Sequence, residues 1–233
     1  MPNIIRSLIA LLAFAVAALA PASAFAAPEG KPMPGFVRVR IETSMGNIVV
    51  ALDARHAPKT TDNFMKYVDD GRFEGMHFYR ASRAKSDAHR GFIQGGIDTD
   101  YRRALVPSVP LEPTSKTGIK HVDGTISMAR HEDPNSATGN FSIYVGPAPG
   151  MDAAPGRPGY AAFGHVVAGM DVVKKIMAVP TCCGEGPMFG QMIKQPVTIV
   201  RMVRLDGKAQ PTTIVRPWLF QPTGKPRTPP ARP

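Results

Sequence analysis

The sequence predicts a mainly β protein whose strands form a closed antiparallel barrel accompanied by two α-helices. Many short runs of β-forming residues are present, whereas only two segments have helical periodicity. In the first run, Val37, Val39 and Ile41 alternate with charged residues, which is the period of a half-buried strand. Closure protects a sheet of many short strands from pairing at its edges, so we expect a barrel.

The predicted strands begin with a hairpin, in which residues 37–41 and 48–52 flank a turn at residues 44–47. Six further β runs follow this hairpin. They cover residues 75–80, 92–95, 124–129, 140–145, 162–167 and 197–204.

Two helices are predicted from apolar spacing and from the residues at their ends. The first begins near Pro58, which suits the first helical turn, and stops at Gly71. The second covers residues 170–177, and Pro180 lies beyond its end. One face of each helix is apolar, and we assign both faces to the core of the protein.

The N-terminus predicts export. Arg6 is followed by an apolar stretch at residues 8–20, and small residues then offer cleavage sites after Ala24 or Ala26. The apolar stretch is too short for a stable membrane span. We therefore interpret residues 1–26 as a signal peptide, expect no transmembrane segment after cleavage, and predict a periplasmic or secreted protein.

The rest of the chain divides into three parts. Residues 27–35 form a short lead-in with proline and glycine, and residues 36–205 form the predicted barrel domain. The tail, residues 206–233, is basic and proline-rich: from Gly207 on it holds seven prolines and five basic residues. Such a composition predicts a flexible, extended segment, although the apolar residues around Trp218 could dock on the barrel or on a partner.

The charge balance indicates what the protein contacts. Lys and Arg number 28 against 18 Asp and Glu, for a net charge of +10. This excess of positive charge favours binding to acidic surfaces, and the basic tail could make such a contact. We expect no nucleic-acid partner, because no recognition module accompanies the charge.

The two cysteines, Cys182 and Cys183, are adjacent in the sequence. Neighbouring cysteines cannot form the long-range crosslink that stabilises small secreted domains. We expect two reduced or partly buried thiols in a loop, with metal binding and intermolecular pairing as alternatives.

Four short motifs occur in a fixed order along the chain. They are Phe-Tyr-Arg at 78–80, Gln-Gly-Gly at 94–96, Ser-Met-Ala-Arg at 127–130 and Tyr-Ala-Ala-Phe-Gly at 160–164. In this order they resemble the cyclophilin family of peptidyl-prolyl cis/trans isomerases. The resemblance covers roughly residues 36–205 and implies an eight-stranded antiparallel barrel with a helix at each end.

The resemblance also implies the site. Arg80 matches the catalytic arginine of the family, although an arginine after an aromatic residue can equally form an ordinary surface salt bridge. Gln94 and Asn140 stand where the family holds the substrate backbone, and Ala129 and Arg130 line the groove through their backbone. The residues expected to shape the apolar part of the site are Phe92, Tyr160 and Phe141.

The implied chemistry is simple. An amide resists rotation by about 18–20 kcal/mol because the nitrogen lone pair is delocalised into the carbonyl. When the bond before proline is twisted, the nitrogen regains that lone pair, and a donor aimed at it favours the transition state. The guanidinium of Arg80 is a suitable donor because it stays charged. This chemistry requires no nucleophile, metal or cofactor.

The sequence also departs from the family pattern. About six extra residues lie within the segment 81–90, between Arg80 and Gln94. Gly91 and Phe92 stand where a phenylalanine and an apolar partner are expected, and Ser142 replaces the phenylalanine of the pocket floor. The loop tryptophan of the family is also missing.

Three hypotheses follow. The first is an exported isomerase that assists folding by acting on proline-containing polypeptides. The second is a cyclophilin-like peptide-binding or chaperone module with weak catalysis, which Ser142 and the extra residues favour. The third is that the basic tail anchors the domain to an acidic surface.

Overall fold

The computed structural model describes residues 31–97 and 100–219, and these contain nine strands and three α-helices. The strands are β1 (Phe36–Thr43), β2 (Gly46–Asp53), β3 (His77–Ala84), β4 (Asp87–Gly96), β5 (Thr125–Met128), β6 (Phe141–Val145), β7 (Ala162–Ala168), β8 (Thr181–Cys182) and β9 (Met192–Arg204). The helices are α1 (Pro58–Asp69), α2 (Thr114–Thr117) and α3 (Met170–Ala178).

Eight of the strands close into an antiparallel barrel. Their order is β1-β2-β7-β5-β6-β4-β3-β9, and pairing of β9 with β1 completes the ring. The two-residue β8 adds to the outer side of β9. The predicted fold class is thereby confirmed, and β8 is an additional strand that the sequence did not indicate.

The two longer helices cover opposite ends of the barrel. Phe64 of α1 packs against Phe163, near the start of β7, with ring centroids 5.3 Å apart. Val172 of α3 lies against Gly46, the first residue of β2 and so at the other end of the antiparallel β2–β7 pair. Both helices begin where the sequence predicts. The four-residue α2 was not predicted, because it is too short to show apolar periodicity.

The extra residues between Arg80 and Gln94 lengthen a hairpin. They continue β3 to Ala84 and start β4 at Asp87, so the strands extend beyond the point where the sequence predicted their ends. The guanidinium of Arg83 donates to the backbone oxygens of Met177 and Val179, at the end of α3. The extension is therefore tied to the body of the domain.

The first half of the tail lies against the barrel. Asp206 accepts hydrogen bonds from the backbone and the guanidinium of Arg38, and the backbone and hydroxyl of Thr212 donate to Asp70. Trp218 lies against two guanidinium groups, with the Cζ atoms of Arg72 and Arg103 at 4.8 and 5.1 Å from its ring centroid. These polar and cation–π contacts join residues 206–219 to the barrel domain, as the docking alternative expected for the residues around Trp218, and the flexibility of the tail stays a prediction. Residues 220–233 lie outside the described part of the chain.

The two cysteines are joined to each other. Cys182 and Cys183 form a disulfide between neighbouring residues, so the expectation of two thiols is wrong. Cys183 has a φ of 40°, and the backbone turns there as the chain leaves β8. The pair lies beside β9, where Cys182 pairs with Met192.

The predicted signal peptide, residues 1–26, lies outside the described residues. Across residues 31–97 and 100–219, no helix is long and apolar enough to cross a membrane.

We expect Asp206→Asn to lower the free energy of unfolding by about 1–2 kcal/mol at pH 7, because Arg38 would keep its charge but lose a charged acceptor. The hydrogen bonds from Arg38 hold the pKa of Asp206 below its usual value. Their contribution is therefore present above the unfolded pKa of about 4 and is lost as the pH falls through the folded pKa. Urea unfolding at pH 7 and at successively lower pH measures this difference.

The matched control for this prediction is Asp62→Asn, which breaks an exposed pair with Lys66 one helical turn away. Exposed pairs contribute little, so this loss should be much smaller. Equal losses in the free energy of unfolding for the two variants would contradict a stabilising role of the Arg38–Asp206 hydrogen bonds. So would a difference between Asp206→Asn and the wild type that does not become smaller as the pH falls.

Candidate active site

A β-bulge sets the position of Arg80. Phe78 of β3 pairs with Gly95, and Arg80 pairs with the next residue of β4, Gln94, which leaves Tyr79 as the extra residue. Bulges redirect the side chains that follow them. This one places Arg80 directly across from Gln94, on the outer face of the barrel.

Two glutamines hold the guanidinium of Arg80. Nη1 donates to Oε1 of Gln94 at 2.9 Å, and Nε and Nη2 both donate to Oε1 of Gln191, at 2.9 and 2.7 Å. Gln94 is fixed in turn by its Nε2, which donates to the hydroxyl of Tyr79 at 2.9 Å. Gln191 donates through Nε2 to the backbone oxygen of Pro187. The orientation of Arg80 is thus set from both sides.

Burial lowers the pKa of Arg80, whereas the nearby phenols of Tyr79, Tyr144 and Tyr160 raise it. An arginine starts from a pKa above 12, so the guanidinium remains charged at neutral pH. Burial also raises the pKa of Tyr144. The site therefore places one fixed cation near three tyrosines.

An aromatic wall stands beside Arg80. The ring of Phe92 lies 5.0 Å from Cζ of Arg80, and its centroid is 5.4 Å from that of Tyr144. Phe92 and Tyr144 are direct cross-strand neighbours on β4 and β6. Phe92, one of the predicted residues, thus lies beside Arg80, whereas Tyr144 was not among the predicted residues.

The structure corrects the prediction for Phe141. Its side chain is fully buried and packs in the barrel core against Phe64 and Phe78. Side chains alternate along a strand, so Ser142 and Tyr144 face outward instead. Ser142 pairs with Gln94. The serine therefore occupies the outer face beside Gln94, where the family pattern calls for an aromatic floor.

The glycines of the Gln-Gly-Gly motif allow two segments to approach closely. At Gly96, with a φ of 131°, a Cβ atom would lie 2.3 Å from the backbone oxygen of Gly139 and 2.7 Å from Oδ1 of Asn140. This Oδ1 is buried and has no hydrogen-bond partner among the described residues. Asn140 thus lies at the site, beside the motif. Its contact with substrate stays a prediction.

The remaining predicted residues border the same face. The backbone N–H of Ala129 donates to the oxygen of Asn140. The guanidinium of Arg130 lies over the ring of Tyr160, 4.6 Å from its centroid, and donates to the backbone oxygen of Gly159. Tyr160 also lies close enough to Arg80 to influence its pKa. Tyr160 thus lies near Arg80 with Arg130 against it, whereas Ala129 and Asn140 contact each other, and their role in binding stays a prediction.

A Ser-His-Asp arrangement lies behind the aromatic wall. Nδ1 of His121 is 2.8 Å from Oδ1 of Asp152, and Nε2 is 2.9 Å from Oγ of Ser127. His121 and Ser127 are each 1% exposed, so a substrate cannot reach the serine, and we assign the trio a structural role. The ring of His121 supports Tyr144 edge-on, with centroids 5.0 Å apart.

The sequence model of the family described as "Cyclophilin type peptidyl-prolyl cis-trans isomerase/CLD" matches residues 38–204, most of the chain. The chain belongs to the cyclophilin family. The motifs that suggested the resemblance all fall within this match, and the three-dimensional arrangement brings them to one face of the barrel.

Curated cyclophilin relatives include bacterial proteins. A peptidyl-prolyl cis-trans isomerase of Acinetobacter baylyi is 35% identical over 162 residues, covering 70% of this chain and 82% of the relative. Peptidyl-prolyl cis-trans isomerase A of Dickeya dadantii is 38% identical over 144 residues, covering 61% and 72%. A crystal structure of a cyclophilin-type isomerase of Cryptosporidium parvum matches with a TM-score of 0.56 at 21% identity, covering 74% of this chain and 99% of that one. This last likeness concerns the fold.

Sequence reasoning missed three residues of this cyclophilin site. Tyr79 directly precedes the predicted Arg80, and Tyr144 lies two residues after Ser142, on the same face of β6. Gln191 stands in a loop 111 residues after Arg80, and no local pattern connects the two. Only the pairing of β9 with β3 brings them together.

We expect Gln191→Leu to lower the kcat of proline isomerisation about tenfold with little change in KM, because Arg80 would lose two hydrogen bonds that orient it. Exchange spectroscopy on an Ala-Pro peptide measures both constants. The matched control is Gln195→Leu, which changes an exposed glutamine four residues later, on β9.

The double variant tests whether Gln191 acts through Arg80. In the Arg80→Ala background, Gln191→Leu should have no further effect on kcat, because the group that it positions is gone. Additive losses, or a loss confined to thermal stability, would contradict a positioning role.

Proposed function

We propose that this cyclophilin is an exported peptidyl-prolyl cis/trans isomerase that assists the folding of proline-containing chains, with Arg80 as its catalytic group. The observation that carries the proposal is a charged guanidinium fixed by Gln94 and Gln191 on the outer face of the barrel, beside an aromatic wall. The family supports the general activity. The mechanism and the export are our inferences.

The proposed mechanism uses the charge of Arg80 at the moment when the imide bond is twisted. The proline nitrogen then regains its lone pair and accepts a hydrogen bond that it cannot accept while the amide is planar. A donor that is already held in the right orientation need not reorganise during the reaction. Removing such a donor commonly lowers the rate about 10²–10³-fold. The two glutamines supply this fixation, since they occupy three of the guanidinium's N–H groups and limit its rotation.

The proposed binding of the proline ring uses aromatic contact. Phe92 is half-buried near Arg80 and its ring is tilted against that of the buried Tyr144, while Tyr160 lies close to the same guanidinium. Apolar contact contributes roughly 25 cal/mol for each Å² removed from water, so two aromatic walls can hold a small ring. These residues would replace the aromatic floor that is absent at Ser142.

A second candidate function is peptide binding with weak catalysis. The observation that favours it is Ser142, which pairs with Gln94 and puts a small, largely buried polar side chain there in place of an aromatic floor. If the proline ring is held too loosely, the nitrogen does not meet Arg80, and a small displacement is enough to reduce the rate strongly. Binding and catalysis would then be separated.

We expect Arg80→Ala to lower kcat/KM for an Ala-Pro peptide about 10²- to 10³-fold, and Arg80→Lys to fall between this variant and the wild type, because lysine keeps the charge but loses the planar set of donors. Exchange spectroscopy of the cis and trans peptide measures the rates. The control is Arg201→Ala, which removes an exposed arginine paired with Glu42 on the far side of β9.

The same assay decides between the two functions. Wild-type and Arg80→Ala rates that are equal but well above the uncatalysed exchange would eliminate Arg80 as the catalyst. A wild-type protein that binds the peptide yet leaves exchange on its uncatalysed timescale of tens of seconds would favour the binding module.

For export, we expect the full chain expressed in a bacterium to be recovered outside the cytoplasm with a new N-terminus after Ala24 or Ala26. Leu12→Arg, which interrupts the apolar stretch, should retain the uncleaved chain in the cytoplasm. N-terminal sequencing of each cell fraction is the measurement. An uncleaved wild-type protein in the cytoplasm would remove this part of the proposal.

A further inference from the structure

A cavity of about 380 Å³ lies between the hairpin extension, residues 81–90, and helix α3. Neither Arg80 nor Gln94 lines it, so it is separate from the candidate active site. Three segments form its walls: the extension with Ala88, His89 and Arg90, helix α3 with Lys174, Met177 and Ala178, and the barrel end with Asp123, Val145 and Gly146.

Two permanent cations face this cavity from opposite sides, Arg90 on the extension and Lys174 on α3. Both residues are exposed, as is His89 between them and the solvent-facing end of the extension. Nη2 of Arg90 donates to the backbone oxygen of Pro147, which carries no formal charge. Among the residues that the structure describes, no carboxylate forms an ion pair with Arg90 or Lys174.

The acidic groups near the cavity are engaged with the backbone. Asp123 also lines the cavity, and its Oδ1 accepts a hydrogen bond from the N–H of Gly146 at 2.7 Å. Asp87 of the extension accepts one from the N–H of His89. Even with a neutral imidazole, two cations face one carboxylate in the cavity, so its net charge is positive.

The end of helix α3 does not cancel this positive charge. The last carbonyl groups of a helix carry a partial negative charge, which would oppose the binding of an anion. Here the guanidinium of Arg83 donates to the backbone oxygens of Met177 and Val179. A third cation therefore offsets the helix end and leaves Arg90 and Lys174 to face the cavity.

The strands β1 and β9 show the opposite arrangement. Each of their arginines forms an ion pair with a carboxylate; they are Arg38, Arg40, Arg201 and Arg204. The extension instead holds three Lys or Arg residues and one acidic residue within residues 81–90. Positive charge without a carboxylate partner is thus a property of the extension and of the helix face next to it.

The walls of the cavity favour an acidic side chain. Val145, Met177 and Ala178 contribute apolar surface, and a cleft with cations and low-dielectric walls concentrates the electric field. The methylene groups of a glutamate would contact these walls while its carboxylate meets the cations. No phenylalanine, tyrosine or tryptophan is among the described residues that line the cavity, so it lacks the stacking surface that nucleic-acid bases use.

We propose that this cavity binds acidic side chains of an extended polypeptide, so that the hairpin extension holds acidic chains at a second site on the protein. Arg90 precedes Gln94 by four residues on β4, which places it about 13 Å along the strand from the candidate active site. Binding at this distance does not require Arg80. The site therefore adds a charge preference that is independent of the isomerase function proposed above.

The test measures the binding of two labelled, blocked peptides without proline, Gly-Glu-Glu-Gly-Glu-Glu-Gly and its glutamine counterpart, to the full chain by fluorescence anisotropy. The wild type should bind the glutamate peptide about tenfold more tightly at low salt. Arg90→Gln combined with Lys174→Gln should weaken this binding about five- to tenfold, because each exposed charge contact contributes modestly. Added salt should remove the difference between the peptides.

The matched control is Lys116→Gln combined with Lys208→Gln, which removes two exposed lysines elsewhere and lowers the net charge by the same amount. This variant should bind the glutamate peptide as the wild type does. Lys174→Glu alone is a second test that leaves the hydrogen bond between Arg90 and Pro147 in place. It should weaken binding of the glutamate peptide and strengthen binding of the corresponding lysine peptide.

Three results would overturn the proposal. Equal weakening by the two double variants would show that net charge alone attracts the peptide. Equal affinity of the wild type for the glutamate and glutamine peptides would show that charge is not recognised. A thymidine pentanucleotide with the same number of charges that binds more tightly, and is weakened as much by the cavity variant, would assign the cavity to nucleic acid. Because the peptides contain no proline, each result holds whether or not the protein is an isomerase.

Discussion

The orientation of one guanidinium depends on the pairing of two strands that are far apart in the sequence, β3 and β9. Arg80 is 14 residues from Gln94 and 111 residues from Gln191. The first glutamine arrives through the β3–β4 hairpin, which forms locally. The second arrives only because β9 pairs with β3, where Met192, the neighbour of Gln191, lies opposite Arg80. Hydrogen bonds to a charged group contribute roughly 1.5–3 kcal/mol each, so the two pairings together fix the donor far better than the hairpin alone could.

Arg80 lies in a row of polar cross-strand neighbours, and the aromatic part of the site lies in the next outward-facing row. Arg80, Gln94 and Ser142 are cross-strand neighbours on three adjacent strands, and all of them are polar. Phe92 and Tyr144 form the next outward-facing row of cross-strand neighbours. The aromatic side chains therefore lie two residues further along β4 and β6 than Gln94 and Ser142, in the direction of the hairpin extension. A substrate ring that follows this surface would approach Arg80 from the side of the extension.

Local patterns predicted most of the barrel, because alternation and helix-end signals are properties of short segments. They also placed Arg80 and Gln94 in one site, through motif order. They failed where the outcome depends on distant partners. Trp218 is held by guanidinium groups more than a hundred residues earlier in the chain, and Gln191 reaches Arg80 through strand pairing. Phe141 was misassigned because the sequence alone could not show whether a bulge exchanged its face with that of Ser142.

The β3–β4 hairpin has two parts, the bulge that positions Arg80 and the extension beyond it. The bulge at Tyr79 fixes the register of Arg80 before the extension begins, so the length of the extension does not determine where the guanidinium lies. Beyond that point the strands are held independently, since Arg83 is bonded to the end of α3. Residues added beyond Arg80 can therefore reshape the space next to the aromatic wall without loosening the donor. This explains physically how a chain can depart so far from the family pattern between Arg80 and Gln94 and still keep the two side chains 2.9 Å apart.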